Sequence, residues 1–396
     1  MLNSFSTLTV LFSLLVGITA FFKTSIGRRI GNFLPTPFWI YFSSIVCSTF
    51  GWLPPQSPVY PWIGLHVLSA ALVLMLIGTS IQDLIKMGPP ALMAMILGIV
   101  TMVLATWISF AIFGPYLPQD GWKAAGALLA TWTGGSANML AVKELLNLSE
   151  SGFAPLVIVD TFLSYGWMAI LIFGAGMQRR FDSSMGLPES FPASHLSEEN
   201  PEGRGDHKPE RGWGERLRRI GIVLLTGFSV GEIMIFVAGR ISPSLPLLSS
   251  SGWAVLFSTT AAVLLAMTPL KKVEQKGASI AGQLLLYLVL LTIGAKTNLR
   301  AASGAPIFML FGSGVLIIHG VLLLYVGRLM KLPLFLLATS SQANVGGAIS
   351  APIVASVYRP GVAHIGVLMA ILGVVVGTYV GAFGGWVCRF IPLWAK

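Results

Sequence analysis

The feature that most limits what this chain can fold into is a series of long apolar runs, most of them near the roughly 20 helical residues needed to cross a ~30 Å hydrocarbon layer. They lie at 5–22, 36–53, 61–81, 90–113, 121–147 and 152–176, and again at 220–238, 252–268, 278–295, 305–327, 333–357 and 361–388. Inside lipid a backbone N–H or C=O has no water to bond, so such runs must form helices. The fold class that follows is all-α, a polytopic membrane protein. Composition agrees: 55% hydrophobic and 10% charged residues are far from a water-soluble globule, where about a quarter of residues are charged.

Charge divides the chain. Residues 179–219 hold eight basic and eight acidic side chains, so this stretch is neutral and the formal charge of +10 arises elsewhere. The other basic residues punctuate apolar runs, as loop anchors do, whereas a nucleic-acid binder gathers its charge on a soluble face. The expected organisation is a first transmembrane half (1–177), a hydrophilic linker rich in Pro, Gly and Ser (178–219) and a second transmembrane half (220–396). Cys47 and Cys388 sit in or beside apolar runs, and no Cys or His shows metal-ligand spacing. No cofactor is expected beyond a sodium ion or proton as coupling ion. The N-terminus lacks a basic n-region and a cleavage site, so it reads as a retained first helix.

The halves resemble each other. Leu74, Ile77, Gly78, Gly88 and Pro90 match Leu290, Ile293, Gly294, Gly304 and Pro306 without a gap. In each half this helix precedes a Pro-started helix, then an interrupted one, then a long Gly-containing one. Duplications of this kind build secondary transporters, and an inverted repeat is expected. The basic residues of the second half, from Arg216 through Lys276 and Arg328 to Arg389, fall on one side, which predicts a cytoplasmic linker and C-terminus in a bacterial inner membrane. The first half conflicts with this. Lys23, Arg28 and Arg29 would also be cytoplasmic, yet five segments separate them from Arg179 and Arg180. Either one run fails to span, with 36–53 the best candidate, or a hairpin hides within a run counted once.

The interrupted segments carry the polar signal. In 121–147, Ala130 and Thr131 lead to Gly134, Gly135, Ser136 and Asn138; in 333–357, Ala338 and Thr339 lead to Ser341, Gln342, Asn344, Gly346 and Gly347. Such clusters within apolar runs are costly unless the backbone lines a protected cavity, so the two should face each other. Unwinding at the glycines would free carbonyls for a cation and aim half-helix N-termini at an anion. Close packing through small residues is the plainer reading, but it needs neither Asn nor Gln.

TWTGGSANMLAVKE (131–144), His319-Gly320, ATSSQANVGGAISAP (338–352) and GVVVGTYVGAFGG (373–385) resemble the YjcL-like integral membrane family, defined by a domain of unknown function. That family is grouped with the cation/proton antiporter and anion transporter superfamily, which includes sodium/proton antiporters and bile-acid sodium symporters. The resemblance implies an inverted-repeat core with two crossed, broken helices and elevator-type motion. It supplies no substrate.

Two acids outside the linker are deep. Asp160 lies about nine residues into its helix, where a carboxylate costs several kcal/mol unless protonated, paired or hydrated. The resemblance implies that Asp160, with Thr161, occupies the place of an ion-binding acid. Glu232 reads as structural, in reach of a subunit interface, and a homodimer is the protein partner considered. Lys296 stands near a helix end, either as an interfacial anchor or, as the resemblance implies, as a partner of Asp160. His66, His319 and His364 read as packing residues, and Gly373, Gly377, Gly381 and Gly385 as one smooth face for close packing.

The leading expectation is a proton- or sodium-coupled secondary transporter of a small organic solute, with the bilayer and that solute as partners. A sodium/proton antiporter and a non-transport receptor or scaffold are the alternatives. No Walker P-loop, H-E-x-x-H or G-x-S-x-G motif is present, so an enzyme is not expected.

Overall fold

The computed structural model describes residues 4–31, 36–79, 87–187, 213–245, 248–296, 305–359 and 361–391. Asp83, Gly304 and linker residues 188–212 lie outside the described residues. Among the described residues there is no strand, and eight helices are long and apolar enough to cross a membrane. The protein is an all-helical, polytopic membrane protein.

In chain order the helices are α1 (Ser4–Phe21), α2 (Ser25–Gly31), α3 (Thr36–Thr49), α4 (Val59–Ile77), α5 (Pro89–Phe113), α6 (Gly121–Gly134), α7 (Ser136–Leu145), α8 (Glu150–Gly174) and α9 (Gln178–Ser183). The second half has α10 (Trp213–Ile241), α11 (Ser250–Leu265), α12 (Ala278–Lys296), α13 (Ala305–Leu329), α14 (Leu334–Val345), α15 (Gly347–Tyr358) and α16 (Ala363–Cys388). Their boundaries follow local chemistry. Gly88 at φ 80° turns the chain into α5, whose first turn takes two prolines where their missing N–H costs nothing. Ser149 and Ser249 cap α8 and α11, accepting from Gly152 N at 3.2 Å and Gly252 N at 3.0 Å. With 14 residues, α3 reaches only about 21 Å, short of the hydrocarbon thickness.

The helices form two bundles, each drawing on both halves of the sequence. One holds α1, α3, α4, α10, α11 and α12; the other holds α5, α6 with α7, α8, α13, α14 with α15, and α16. In the first bundle, glycines let backbones approach: Gly282 faces Ala71 and Met75, Gly227 faces Leu74, and Gly231 faces Ser69 and Ala70. Gly78, just after α4, faces Glu274, just before α12, so these helices run in opposite directions. The bundles meet mainly where α7 touches α11 and where α8 touches α3 and α12.

The interrupted segments differ from expectation. They are hairpins, not crossed, broken spans. Lys123 Nζ lies 3.4 Å from the carbonyl of Asn147, and the Arg359 guanidinium lies 5.7 Å from the Phe335 ring. In one straight helix either pair would be about 36 Å apart. The reversal occurs at Gly135 (φ 87°) and Gly347 (φ 67°), in backbone conformations that L side chains rarely adopt. Gly and small polar residues accompany a kink and a full reversal alike, so the residue pattern does not separate them.

The hairpins enter from opposite ends. The α6–α7 hairpin opens beside Glu150 and Lys296, while the α14–α15 hairpin opens beside α9, where Asp182 Oδ1 accepts from Leu334 N at 2.9 Å. Because each returns to its own end, α16 finishes at the Lys296 end, with Arg389 5.8 Å over the Trp122 ring. The linker leaves from the α9 end. Linker and C-terminus are therefore at opposite ends, which corrects the expectation that they share a side; that expectation had counted each hairpin as a crossing.

Candidate functional site

Asp160 stands on α8, about 15 Å along the helix from Glu150 at 1.5 Å per residue. It is half-buried, and both hairpins approach it. From α6, Thr131 and Trp132 lie beside its carboxyl; the fully buried indole N–H of Trp132 has no partner of hydrogen-bond geometry. From the other side comes Ser164, one turn along α8. Its hydroxyl is 3.2 Å from Asp160 Oδ1 and also 3.2 Å from the carbonyl of Val345, the last residue of α14. One hydroxyl proton serves one acceptor at a time.

At the first tip, Gly135 and Ser136 are half-buried, and a Cβ built on Gly135 would meet nothing. Gly134 and Asn138 are instead locked. Asn138 Nδ2 donates to Gly134 O at 2.8 Å and Val374 O at 3.1 Å, while its Oδ1 accepts from Thr378 Oγ1 at 2.6 Å. The α16 glycines permit this: Gly377 faces Gly134 and Asn138, Gly381 faces Ala130 and Gly126, and a Cβ on Gly385 would lie 2.7 Å from Gly126 Cα.

The second tip is less closed. Gln342 Nε2 donates to Ser350 Oγ at 2.8 Å and Asn344 Nδ2 to Ser340 O at 2.9 Å, yet the buried oxygens Gln342 Oε1 and Asn344 Oδ1 have no partner. An unsatisfied buried acceptor costs about 1–3 kcal/mol, so each of these oxygens is open to a further donor, a water or an ion. Gly346 and Gly347 form the turn; a Cβ on Gly347 would meet nothing, and Ile349 just beyond is 83% exposed.

Ser341 is engaged elsewhere. Its hydroxyl accepts from Trp167 Nε1 at 2.8 Å and lies 3.0 Å from His319 Nε2; His319 Nδ1 is 3.0 Å from Thr101 Oγ1, which donates to Leu97 O at 2.8 Å. Since Thr101 spends its proton on Leu97, the network assigns the hydrogen of neutral His319 to Nδ1 and leaves Nε2 to accept from Ser341. His319 is fully buried and ties α14 to α5, α8 and α13.

Two expected members stand apart from the carboxyl. Thr161 donates to Val157 O at 2.8 Å within its own helix. Lys296 pairs with Glu150 at 3.2 Å, not with Asp160, and Lys143 shares the same carboxylate at 3.3 Å. Glu232 pairs with His66 at 2.6 Å inside the first bundle. Sequence reasoning missed Ser164, Trp167 and Thr101. Ser164 had a signal, its position four residues after Asp160; Trp167 and Thr101 had none. Among the described residues no three His, Cys, Asp or Glu gather, so a cation here would rest on one carboxylate with amide, hydroxyl and carbonyl oxygens.

Comparison with known proteins bears on the whole chain. Residues 9–390 match the family described as "Protein of unknown function (DUF819)". A curated relative, "Uncharacterized membrane protein YjcL" of Bacillus subtilis (strain 168), is 26% identical over 362 residues, covering 88% of this chain and 88% of the relative.

Proposed function

Because the chain belongs to the DUF819 family, whose description states no activity, we propose from its own geometry that it is a cation-coupled secondary transporter of a small organic solute. Proton or sodium is the coupling ion, and the motion is of elevator type. The observation that carries this reading is the Ser164 hydroxyl shared between Asp160 and Val345. When the carboxylate is bare it holds that hydroxyl. Once a proton or sodium ion satisfies the carboxylate, the hydroxyl is released to the α14 carbonyl, and occupancy at Asp160 is felt by the second hairpin. The free oxygens of Gln342 and Asn344 serve the same ion or the solute, and the solute lies against Gly135, Ser136, Gly346 and Gly347.

Architecture supports the motion. The α4 and α12 directions, and hairpins entering from opposite ends, fit an inverted repeat, which gives each membrane face its own gate around one site. The hairpin-bearing bundle meets its neighbour through fewer helices than pack within it, chiefly α7 on α11 and α8 on α3 and α12, which suits a body that slides. The basic residues Arg180, Arg216, Arg218, Arg219, Lys276 and Arg328 at the linker end favour an orientation with that end in the cytoplasm and Arg389 outside, in a bacterial plasma membrane. A single carboxylate among neutral amides favours an organic solute over bare sodium/proton exchange.

Asp160→Asn should abolish gradient-driven uptake in proteoliposomes while leaving the protein folded. Uptake at the wild-type rate by that variant would overturn the assignment.

A further inference from the structure

A cavity separate from Asp160 opens at the linker end of the hairpin bundle. It encloses about 430 Å³ among the ends of α8 and α13, helix α9 and the first arm of the α14–α15 hairpin. Its walls are apolar, including Leu171, Phe181, Leu323 and Leu337, and its floor carries Trp167 and Ser341. Three lining residues, Ile170, Met177 and Leu324, also show 43–60% exposure on the outer face of the bundle, so the cavity is continuous with the lipid-facing surface. At its rim stand Arg180 and Arg328, both exposed and with no ion pair among the described residues. Apolar walls reachable from the bilayer beneath two cationic groups match one ligand chemistry, an acyl chain joined to a phosphate. Basic pockets between helices on the cytoplasmic side bind anionic lipid headgroups in this way.

We propose that this cavity is a binding site for an anionic phospholipid of the bilayer, with one acyl chain between α8, α13 and α14 and the headgroup phosphate on Arg180 and Arg328. The occupant would brace the outer arm of the second hairpin through Leu334, Leu337 and Ala338, and would touch Ser341, the residue that ties this arm to His319. This site does not depend on the transport reading, since its evidence lies outside the Asp160 cluster.

The test uses the full chain in detergent with phosphatidylglycerol carrying brominated acyl chains, which quench nearby indoles. The readout is the quenching lost on Trp167→Phe. Brominated phosphatidylglycerol should quench Trp167 at lower concentration than brominated phosphatidylcholine of the same chains. In Arg180→Gln/Arg328→Gln the apparent affinity for phosphatidylglycerol should fall about thirtyfold, two arginines contributing roughly fivefold each. Arg180→Lys/Arg328→Lys should retain most of it, which separates lost charge from lost fold. Equal quenching by the two lipids, or an unchanged affinity in the Gln variant, overturns the proposal. So does inorganic phosphate protecting the wild type against heat through the same arginines without any lipid quenching of Trp167, since the occupant would then be a free anion.

Discussion

The two hairpins share a composition and differ in closure. In α6–α7 every polar atom of Asn138 is paired, and four glycines of α16 press the hairpin against a long helix. In α14–α15 the amide oxygens of Gln342 and Asn344 are orphaned, and the residues after the turn are exposed. The same Ala-Thr, amide and glycine pattern has produced one arm that is fixed and one that has something left to bind. The difference comes from α16, which lays its glycine face along α6 while it meets α15 higher up, where Gly366 faces Ala351 and Pro352.

The largest expected effect falls on the closed side. Gly381→Val would drive two methyl groups into Ala130 and the Gly126 carbonyl, and overpacking of backbone against backbone should cost about 3 kcal/mol. Thermal unfolding in detergent reads this directly; a loss below about 1 kcal/mol would mean that α16 does not clamp the first hairpin.

The next prediction compares two asparagines. Asn138→Leu strands Thr378 Oγ1 and the carbonyls of Gly134 and Val374, at about 2 kcal/mol. Asn344→Leu removes an oxygen that is already orphaned and one donor to Ser340 O within its own helix, and should cost less, below about 1 kcal/mol. It should nonetheless impair cation-driven uptake, because the acceptor offered to the ligand is gone. Equal destabilisation by the two would erase the distinction between the hairpins.

How much of this was legible in the sequence depends on the length scale. Apolar runs fixed the helices, the linker stood out by its charge, and the residue clusters marked both tips, because desolvation cost is written in composition. Asp160 stood out for the same reason. Reversal at Gly135 and Gly347 was not, since a positive φ leaves the same glycine as a kink does. The parity conflict over Lys23 and Arg179 was the one trace of it, and a hidden hairpin was among its two solutions. The resemblance offered Asp160 as a partner for Lys296 beside the reading as an interfacial anchor, whereas the acid it meets is Glu150 on α8, a matter of helix register that spacing alone does not give.

The tips themselves give the sharpest contrast, in transport rather than in stability. Gly135 and Gly347 both have positive φ and both face open space, so Gly135→Ala and Gly347→Ala should each cost about 1–3 kcal/mol of backbone strain. Thermal unfolding should therefore place the two variants together. Their uptake should differ. The first tip is anchored by Asn138 to α16 and has only to hold its shape, so a methyl there leaves the cycle running. The second tip lies beside exposed residues and unsatisfied oxygens, and under the proposed transport cycle it closes over its ligand and reopens. A methyl at Gly347 occupies the space into which it closes and should slow uptake severalfold at matched stability. If both variants transport alike, the open hairpin is no more mobile than the closed one, and the orphaned oxygens of Gln342 and Asn344 serve a static site.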